Sequence, residues 1–245
     1  FRRVLFRSAP LRAAVGHAGW VVPLVHGFFE QRQLSLLGKP VKIGLLQRHA
    51  TDALMASGKQ PFKRAPSTGK TIAVIGGGPA GLACAHKLSE LGNAVTIFES
   101  KDKLGGLNEY GIAAYKSTHD FAQREVDFIL SLGGIEVKTK HALGCNIDMA
   151  SLRKEYDAVF VGIGLSGVNK LGLEGETNLE GVVDAVKYIA ELRQAKDLST
   201  LPVGRHVVVI GGGMTAIDAA VQSKKNQFFV EGGELVVTTL LPDDT

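Results

Sequence analysis

The sequence predicts an α/β fold of two doubly wound, Rossmann-like dinucleotide-binding units, with both ends of the chain incomplete. Short apolar segments alternate with amphipathic segments of helical period between residues 70 and 225, which is the pattern of a parallel sheet with helical crossovers. A glycine-rich turn follows an apolar strand at two places, Gly76 and Gly211. Glycine makes up 30 of the 245 residues without a three-residue period, so tight turns are expected and a collagen-like chain is excluded.

The excess positive charge of the chain is confined to its N-terminal part. Residues 1–35 contain five arginines and one glutamate, whereas the whole chain carries a formal net charge of +4. The remaining residues are neutral overall and lack the basic patch that nucleic-acid binding needs. Residues 13–29 are apolar, but the stretch is slightly short for a membrane span and contains Pro23. We expect no nucleic-acid partner, no membrane association and a cytoplasmic location, although the Arg-rich start also resembles a transit peptide.

The chain is expected to divide into four parts: an atypical basic segment (1–38), a helix and linker (39–69), a first nucleotide-binding unit (70–170) and a partial second unit (171–245). In the second part, apolar residues recur at helical spacing from Ile43 to Leu54, and Gly58 follows them. Polar residues with proline and glycine then form the linker.

The first unit is predicted to begin with a strand, a turn, a helix and a second strand. A buried strand covers 72–75, a helix with small and apolar residues on one face covers 80–91, and a second strand covers 94–98. Glu99 closes that second strand, where a carboxylate can accept hydrogen bonds from the hydroxyl groups of a ribose.

The turn between the first strand and the helix has the spacing Gly76-x-Gly78-x-x-Gly81. The first glycine permits the tight turn, the second lets the backbone approach a pyrophosphate, and the third lets helix and strand pack closely. Pro79 and Ala80 open the helix, whose N–H groups and partial positive charge suit a diphosphate. The spacing alone is weak evidence in a glycine-rich chain, and the surrounding strand, helix and acid strengthen it.

A second unit repeats this pattern. A strand is predicted over 206–210 and a helix from Thr215 to about Lys225. The turn between them has alanine in place of the third glycine, a permitted variant, and its candidate nucleotide-binding residues are Gly211, Gly213, Met214, Thr215 and Ala216. Two such units in one chain indicate two nucleotides, one tightly held and one exchanging.

The segments between the two units supply further turns. Residues 104–116 form a glycine-rich loop, residues 118–134 an amphipathic helix, and residues 135–140 a strand. A buried strand over 158–161 then leads into another glycine turn, and a helix over 184–196 leads to the second unit.

From about residue 39 to residue 225, the sequence resembles the flavin-containing NAD(P)H-oxidising subunit of bacterial dihydropyrimidine dehydrogenase, and the small subunit of glutamate synthase looks like a close relative. The resemblance rests on KPVKIGLLQRHATD, AVIGGGPAGLACAHKLSELGNAVTIFE, GGLNEYGIAAYK, YDAVFVGIGLSGVNKLGLEGE and VVVIGGGMTAIDAAVQSKK. Together these stretches are far more specific than either glycine motif.

The resemblance implies that FAD binds the first unit and NAD(P)H the second. It also implies that hydride passes from the nicotinamide to the flavin, and that electrons leave through iron–sulfur clusters to a catalytic partner subunit. No catalytic side chain and no metal ligand is assigned, because the cofactors carry the chemistry. The residues expected beside the flavin, besides those of the first turn and Glu99, are Gly105, Gly106, Leu107, Gly162 and Gly164.

The sequence also departs from the family. Residues 1–38 contain no cysteine, so this chain cannot hold the iron–sulfur clusters of the family. After Lys225 the match ends without the arginine pair that would bind a 2′-phosphate, which leaves NAD and NADP both open. The alternatives are the small subunit of glutamate synthase and, from another class, a truncated non-catalytic binding module.

Four single residues have simple interpretations. Cys84 is expected to be a small core residue, and it and Cys145, the two cysteines of the chain, form no C-x-x-C pair. A dithiol as in the disulfide reductases is therefore not expected. Asp218 is expected to be a solvated or packing acid, with contact to the flavin or nicotinamide region as the alternative. Lys116 is expected to be exposed, or to contact a cofactor.

Overall fold

The computed structural model describes residues 43–165, 167, 168, 172, 176, 179–204, 206–226 and 234–238. The chain divides into two compact units, residues 1–59 and residues 60–245. The predicted basic segment 1–38 lies outside the described residues.

Within residues 1–59, the described part is a helix, α1 (Ile43–Ala56). The predicted helix is thereby confirmed in type, and residues 39–42 lie outside the description. Arg48 and Asp52, one turn apart on α1, form an ion pair at 2.8 Å. A pair of this kind stabilises an exposed helix by about 0.3–0.5 kcal/mol.

Strands and helices alternate within residues 60–245. The elements in chain order are β1 (Thr71–Ile75), α2 (Pro79–Glu90), β2 (Ala94–Phe98), α3 (Leu107–Tyr110), α4 (Phe121–Leu130), β3 (Ile135–Lys138), α5 (Met149–Glu155), β4 (Ala158–Val161), α6 (Ala185–Gln194), a short 3₁₀ helix (Leu198–Thr200), β5 (His206–Ile210), α7 (Met214–Asn226) and β6 (Glu234–Thr238).

Four of these strands form one parallel sheet in the order β3-β2-β1-β4. Side chains alternate across β1, so Val74 packs on one face while Ala73 and Ile75 pack on the other. The first face is covered mainly by α2 and α4, and the second by α5. Burial on both faces explains why β1 and β2 are nearly continuous apolar runs. The prediction that the strand over 158–161 is buried is wrong, because Ala158, Phe160 and Val161 of this edge strand are exposed.

A second parallel sheet pairs β5 with β6. Val209 packs against Ala216, Ala219 and Ala220 of α7, and the small alanines let the helix approach the strand closely. Tyr188 of α6 packs on the same cluster. The α/β fold with parallel sheets that the sequence predicts is confirmed.

The strands agree with the prediction more closely than the connecting segments. β2, β4 and β5 have the predicted bounds, and the apolar run after residue 233 forms β6. α3 lies within the segment predicted as a loop, and α5 was not predicted. The start of α5 carries a local signal, because the Asp148 carboxylate accepts a hydrogen bond from the N–H of Ser151 at 2.9 Å.

Among the described residues, no helix has the length and apolar character needed to cross a membrane.

The buried imidazole of His86 makes stability depend on pH. His86 is 8% exposed, packs edge-on against Phe62 at 4.7 Å between ring centroids, and its Nε2 has no hydrogen-bond partner among the described residues. Burial lowers the pKa of His86, so the unfolded chain takes up a proton more readily than the folded chain. The contribution of the neutral imidazole to the free energy of unfolding is complete above the ordinary pKa of about 6.5. It is lost as the pH falls below that value.

We therefore expect the free energy of unfolding to fall between pH 7 and pH 5.5, with a contribution from His86 of at most about 1.4 kcal/mol per pH unit. Urea unfolding of wild type and His86→Leu at several pH values measures it, and the variant should show the shallower dependence. His119→Asn, a change at an exposed histidine, is the matched control. Equal slopes for His86→Leu and wild type would contradict the assignment.

Candidate functional site

The candidate site lies at the carboxyl edge of the four-stranded sheet, where the chain order reverses. β1 is flanked by β2 on one side and by β4 on the other, and such a switch point leaves a crevice outside the strand ends. Gly76 follows β1 and Gly162 follows β4. The N–H of Gly162 donates to the carbonyl of Ile75 at 2.7 Å, so the two turns lie side by side.

The first glycine turn leaves no space for side chains at two positions. Gly76 has φ +101°, and a Cβ atom there would overlap with the carbonyl group of Gly162. A Cβ atom at Gly81 would overlap with the carbonyl oxygen of Gly76. These contacts are backbone to backbone, so no rotamer change can relieve them.

α2 begins directly at this turn. Its first residue is Pro79, and Gly78 at the N-cap has extended backbone (φ −77°, ψ −177°). No side chain of the described residues caps this end of the helix. The N–H groups of the first turn therefore face the crevice with the positive end of the helix dipole, an arrangement that suits an anion.

The loop at Gly105 and Gly106 packs against the same turn. The N–H of Gly105 donates to the carbonyl of Gly77 at 2.8 Å. A Cβ atom at Gly106, which has φ +53°, would lie 2.7 Å from the Cα of Gly78. Leu107 follows and is 67% exposed, so a large apolar side chain stands open beside the turn.

Glu99 is buried behind the glycine turn. Its Oε2 accepts from the N–H of Gly77 at 2.7 Å, and its Oε1 accepts from the N–H of Lys101 and the hydroxyl of Ser100 at 2.9 and 3.1 Å. Since a carboxylate oxygen accepts about two hydrogen bonds and Oε2 accepts one from the described residues, Oε2 has a position for a further donor. The carboxylate predicted to bind a ribose therefore ties the end of β2 to the turn. The donor is the backbone N–H of Gly77, a residue that was not among the predicted site residues.

The turn after β4 is open on one side. Gly164, with φ +71°, would place a Cβ atom in open space. Ile163 is 60% exposed, and its Cα lies 3.1 Å from the position of a Cβ on Gly76. Ile163 is therefore a second exposed apolar side chain beside the first turn, and it was not singled out from the sequence.

The second glycine turn is more exposed than the first. Gly211 has φ +133°, and a Cβ atom at Gly213 would meet nothing within 4 Å. Gly213, Met214 and Thr215 are exposed, while Ala216 is buried against β5. Among the described residues, the start of α7 is open to a ligand.

The loop that touches the first turn also reaches the helix of the second turn. Asp218 of α7 is 6% exposed, and its Oδ1 accepts from the hydroxyl of Tyr115 at 2.5 Å and from Nζ of Lys116 at 2.6 Å. Met214 lies one helical turn before Asp218 on the same face of α7. The loop therefore contacts the face of α7 that also carries a residue of the second turn.

The contact between Asp218 and Lys116 favours the charged form of both side chains. Burial opposes ionisation of Asp218, but the hydrogen bonds from Lys116 and Tyr115 lower its pKa below the ordinary value. The hydrogen bond to Asp218 raises the pKa of both Lys116 and Tyr115. The simpler interpretations from the sequence, a packing acid and an exposed lysine, missed this ion pair, because its partners are far apart in the chain.

The structure thus brings the residues predicted around the first turn together, and it joins them to the second turn through α7. The described residues include no cluster of three or more potential metal ligands. Cys84 of α2 is half-buried against the core, where burial raises the pKa of its thiol, and Cys145 is exposed. The arrangement offers two helix N-termini for anions and apolar side chains for rings.

Known proteins of similar sequence are oxidoreductases. The chain is 37% identical over 187 residues to the putative oxidoreductase AegA of Escherichia coli and 35% identical over 187 residues to the small chain of its NADPH glutamate synthase. It is 35% identical over 186 residues to the beta subunit of the NADPH-Fe(3+) oxidoreductase of Geobacter sulfurreducens. Each match covers 73% of this chain but only 28%, 39% and 27% of the relative.

Solved structures show the same fold. FprA of Mycobacterium tuberculosis in complex with NADPH is 22% identical, with a TM-score of 0.52 over 71% of this chain and 43% of FprA. A 2-naphthoyl-CoA reductase is 25% identical, with a TM-score of 0.50 over 72% of this chain and 24% of the reductase. The model of the pyridine nucleotide-disulphide oxidoreductase family matches residues 70–231. The chain therefore belongs to the pyridine nucleotide-disulphide oxidoreductase family.

Proposed function

We propose that the chain is the nucleotide-binding part of an FAD-dependent oxidoreductase subunit, which takes hydride from NAD(P)H and passes electrons to a catalytic partner subunit. The observation that carries this proposal is the loop over residues 104–117. Near its start it is hydrogen-bonded to the first glycine turn, and near its end it is ion-paired with the helix of the second. One segment thereby couples the two turns, as transfer between two bound nucleotides requires.

The first turn fits FAD. The space beside Gly78, where a Cβ would meet no atom closer than 3.7 Å, and the uncapped start of α2 with Pro79 and Ala80 exposed, suit a diphosphate. The remaining position on Oε2 of Glu99 suits a ribose hydroxyl. Bound FAD would supply the two-electron acceptor that the side chains of this chain lack. The residues proposed to hold it are Gly76, Gly78, Pro79, Ala80, Gly81, Glu99, Gly105, Gly106, Leu107, Gly162 and Gly164.

The exposed side chains beside the first turn support the same assignment. Leu107 and Ile163 are each at least 60% exposed, although apolar side chains of this size lose free energy when they face water. Each of them offers an apolar surface to a ring that would bind at this turn. The chain itself would then bind and orient the ring and exclude water from it.

The second turn fits NAD(P)H. Gly211, Gly213, Met214, Thr215 and Ala216 form the start of α7, where N–H groups suit a diphosphate. Its exposure suits a nucleotide that enters and leaves in every cycle. Nothing among these residues selects between a 2′-hydroxyl and a 2′-phosphate, whereas two of the relatives are named for NADPH.

The electrons are proposed to leave for a partner subunit. The cysteines at positions 84 and 145 form no C-x-x-C pair, so the chain holds no dithiol of the kind that relays electrons in disulfide reductases. Several relatives are named as beta subunits or small chains, which supports a partner. As the final acceptor we propose a pyrimidine, as in the dihydropyrimidine dehydrogenase that the sequence resembles.

A second candidate is the small chain of glutamate synthase. The 35% identity to that subunit in Escherichia coli favours it. The two candidates share the nucleotide chemistry and differ in the partner and in the compound that it reduces.

The two turns are tested by a reciprocal pair of variants. In Gly78→Ala the new Cβ would lie 3.7 Å from its nearest neighbour, so the fold is kept, but the methyl group occupies the approach to the diphosphate. We expect FAD affinity to fall about tenfold to a hundredfold, as an overpacking of roughly 1–3 kcal/mol implies. FAD binding is measured by quenching of flavin fluorescence.

Gly213→Ala is the matched control, because its Cβ would also meet no clash. It should leave FAD binding unchanged and weaken NAD(P)H binding, measured by anaerobic titration of the flavin absorbance. A wild-type chain that binds neither nucleotide would instead support the non-catalytic binding module.

Asp218→Asn should slow the reduction of bound FAD by NAD(P)H. The amide keeps the shape of the side chain, and its oxygen still accepts from Tyr115, but the charge that attracts Lys116 is lost, so the loop is held to α7 more weakly. We expect the rate constant for flavin reduction to fall by at least about tenfold while FAD stays bound. Anaerobic stopped-flow absorbance measures it, and an unchanged rate would show that the ion pair does not align the two nucleotides.

The final acceptor is tested with the native complex of the full-length protein and its co-purifying subunit. Anaerobic NAD(P)H oxidation should depend on added uracil or thymine. Oxidation that depends on 2-oxoglutarate with glutamine instead would select the glutamate synthase candidate and exclude the pyrimidine.

A further inference from the structure

A buried ion pair joins the loop over residues 104–117 to α6. Glu109 of α3 and Arg193 of α6 have side chains that are only 7% and 8% exposed. The Arg193 guanidinium lies 3.8 Å from the carboxylate of Glu109 and donates to the backbone carbonyl of Glu109 at 2.9 Å. It also donates to the carbonyl of Ser117 at 3.0 Å and to that of Asn108 at 3.4 Å.

Among the described residues, no backbone N–H outside the regular helices and strands donates to the carbonyls of Asn108, Glu109 and Ser117. The last carbonyls of a helix lack N–H donors within it, and α3 is only four residues long. A guanidinium carries five N–H donors in a rigid fork, so one buried side chain satisfies the end of α3 and the end of the loop at once. Arg193 therefore fixes the distance between these two points.

Glu109 balances the buried charge. Its carboxylate accepts from Gln194 of α6 and from Gln123 of α4, both at 2.9 Å, and from Lys103 at 3.3 Å. Burial opposes ionisation, but these hydrogen bonds lower the pKa of Glu109 below its ordinary value. The carboxylate thus stays ionised beside Arg193, and breaking either partner leaves the other buried without compensation.

The loop is therefore held at three places. Gly105 binds the first glycine turn, Lys116 binds α7, and the clamp formed by Glu109 and Arg193 holds the segment between them. α6 precedes the second turn in the chain, so the unit that carries the second nucleotide site holds the loop from two helices.

We propose that Glu109 and Arg193 are positioning residues that fix this loop and thereby set the alignment of the two bound nucleotides. This inference rests on the proposed function. Both side chains are buried and contact the loop, α4 and α6, so as positioning residues they act through the loop backbone and Lys116.

The test compares Arg193→Met, Arg193→Lys and Glu109→Gln with wild type in the full chain. Arg153→Met, a change at an exposed arginine on α5, is the matched control. Lysine keeps the charge but cannot reach three carbonyls with a rigid fork, so Arg193→Lys should fall between wild type and Arg193→Met. If Arg193→Met does not fold, Arg193→Lys and Glu109→Gln decide the question.

The first readout needs no cofactor. Hydrogen exchange of residues 107–117, whose amides include the bonded N–H groups of Gly111 and Lys116, should become at least about tenfold faster in the Arg193 variants. The control should exchange like wild type. Unchanged exchange in these variants would overturn the clamp.

The second readout separates positioning from a general loss of structure. In Arg193→Lys and Glu109→Gln, FAD affinity and reduction of FAD by dithionite should match wild type, while the limiting rate of reduction by whichever of NADH and NADPH reduces the wild type should fall at least about tenfold. Equal rates with that nucleotide would overturn the positioning role, and so would an equal loss with dithionite. If wild type binds no FAD, the proposed function fails for this chain, and hydrogen exchange still decides whether the clamp holds the loop.

Discussion

The contact between Gly81 and the carbonyl oxygen of Gly76 sets how closely α2 follows β1. A side chain at Gly81 would overlap with that oxygen, so any larger residue would push the helix away from the turn. The N–H groups at the start of α2 would then leave the crevice where the loop at Gly105 and the turn at Gly162 converge. Because both of these segments also contact the first turn through backbone atoms, displacing α2 would disturb the whole of the first site.

Buried carboxylates connect loops and helices that are distant in the chain. Glu99 ties the end of β2 to Gly77, Glu109 ties α3 to α6, and Asp218 ties α7 to the loop at Lys116. Each carboxylate is less than a tenth exposed, and an unpaired charge at such a position would cost several kcal/mol, about 3–5. Loop conformations that leave these carboxylates unpaired are therefore disfavoured.

Elements of local origin could be predicted from the sequence, and contacts between distant segments could not. The bounds of β2, β4 and β5 follow from short apolar runs, and the glycine spacing predicted the close approach at Gly81. The Lys116–Asp218 pair leaves no periodic pattern, because its partners are 102 residues apart and each is an ordinary charged residue of a helix or loop. The clamp at Arg193 is hidden for the same reason, since most of its acceptors are backbone carbonyls, which any residue provides.

The unequal enclosure of the two turns is suited to their proposed nucleotides. In the described residues, the first turn is packed against the loop at Gly105 and the turn at Gly162, whereas Gly213, Met214 and Thr215 of the second turn are exposed. A ligand surrounded by several segments must wait for them to move before it dissociates, whereas one on an open helix end does not. A resident FAD has to survive many cycles and NAD(P)⁺ has to leave after each one. The enclosed turn therefore suits the retained cofactor, and the open turn suits the exchanging one.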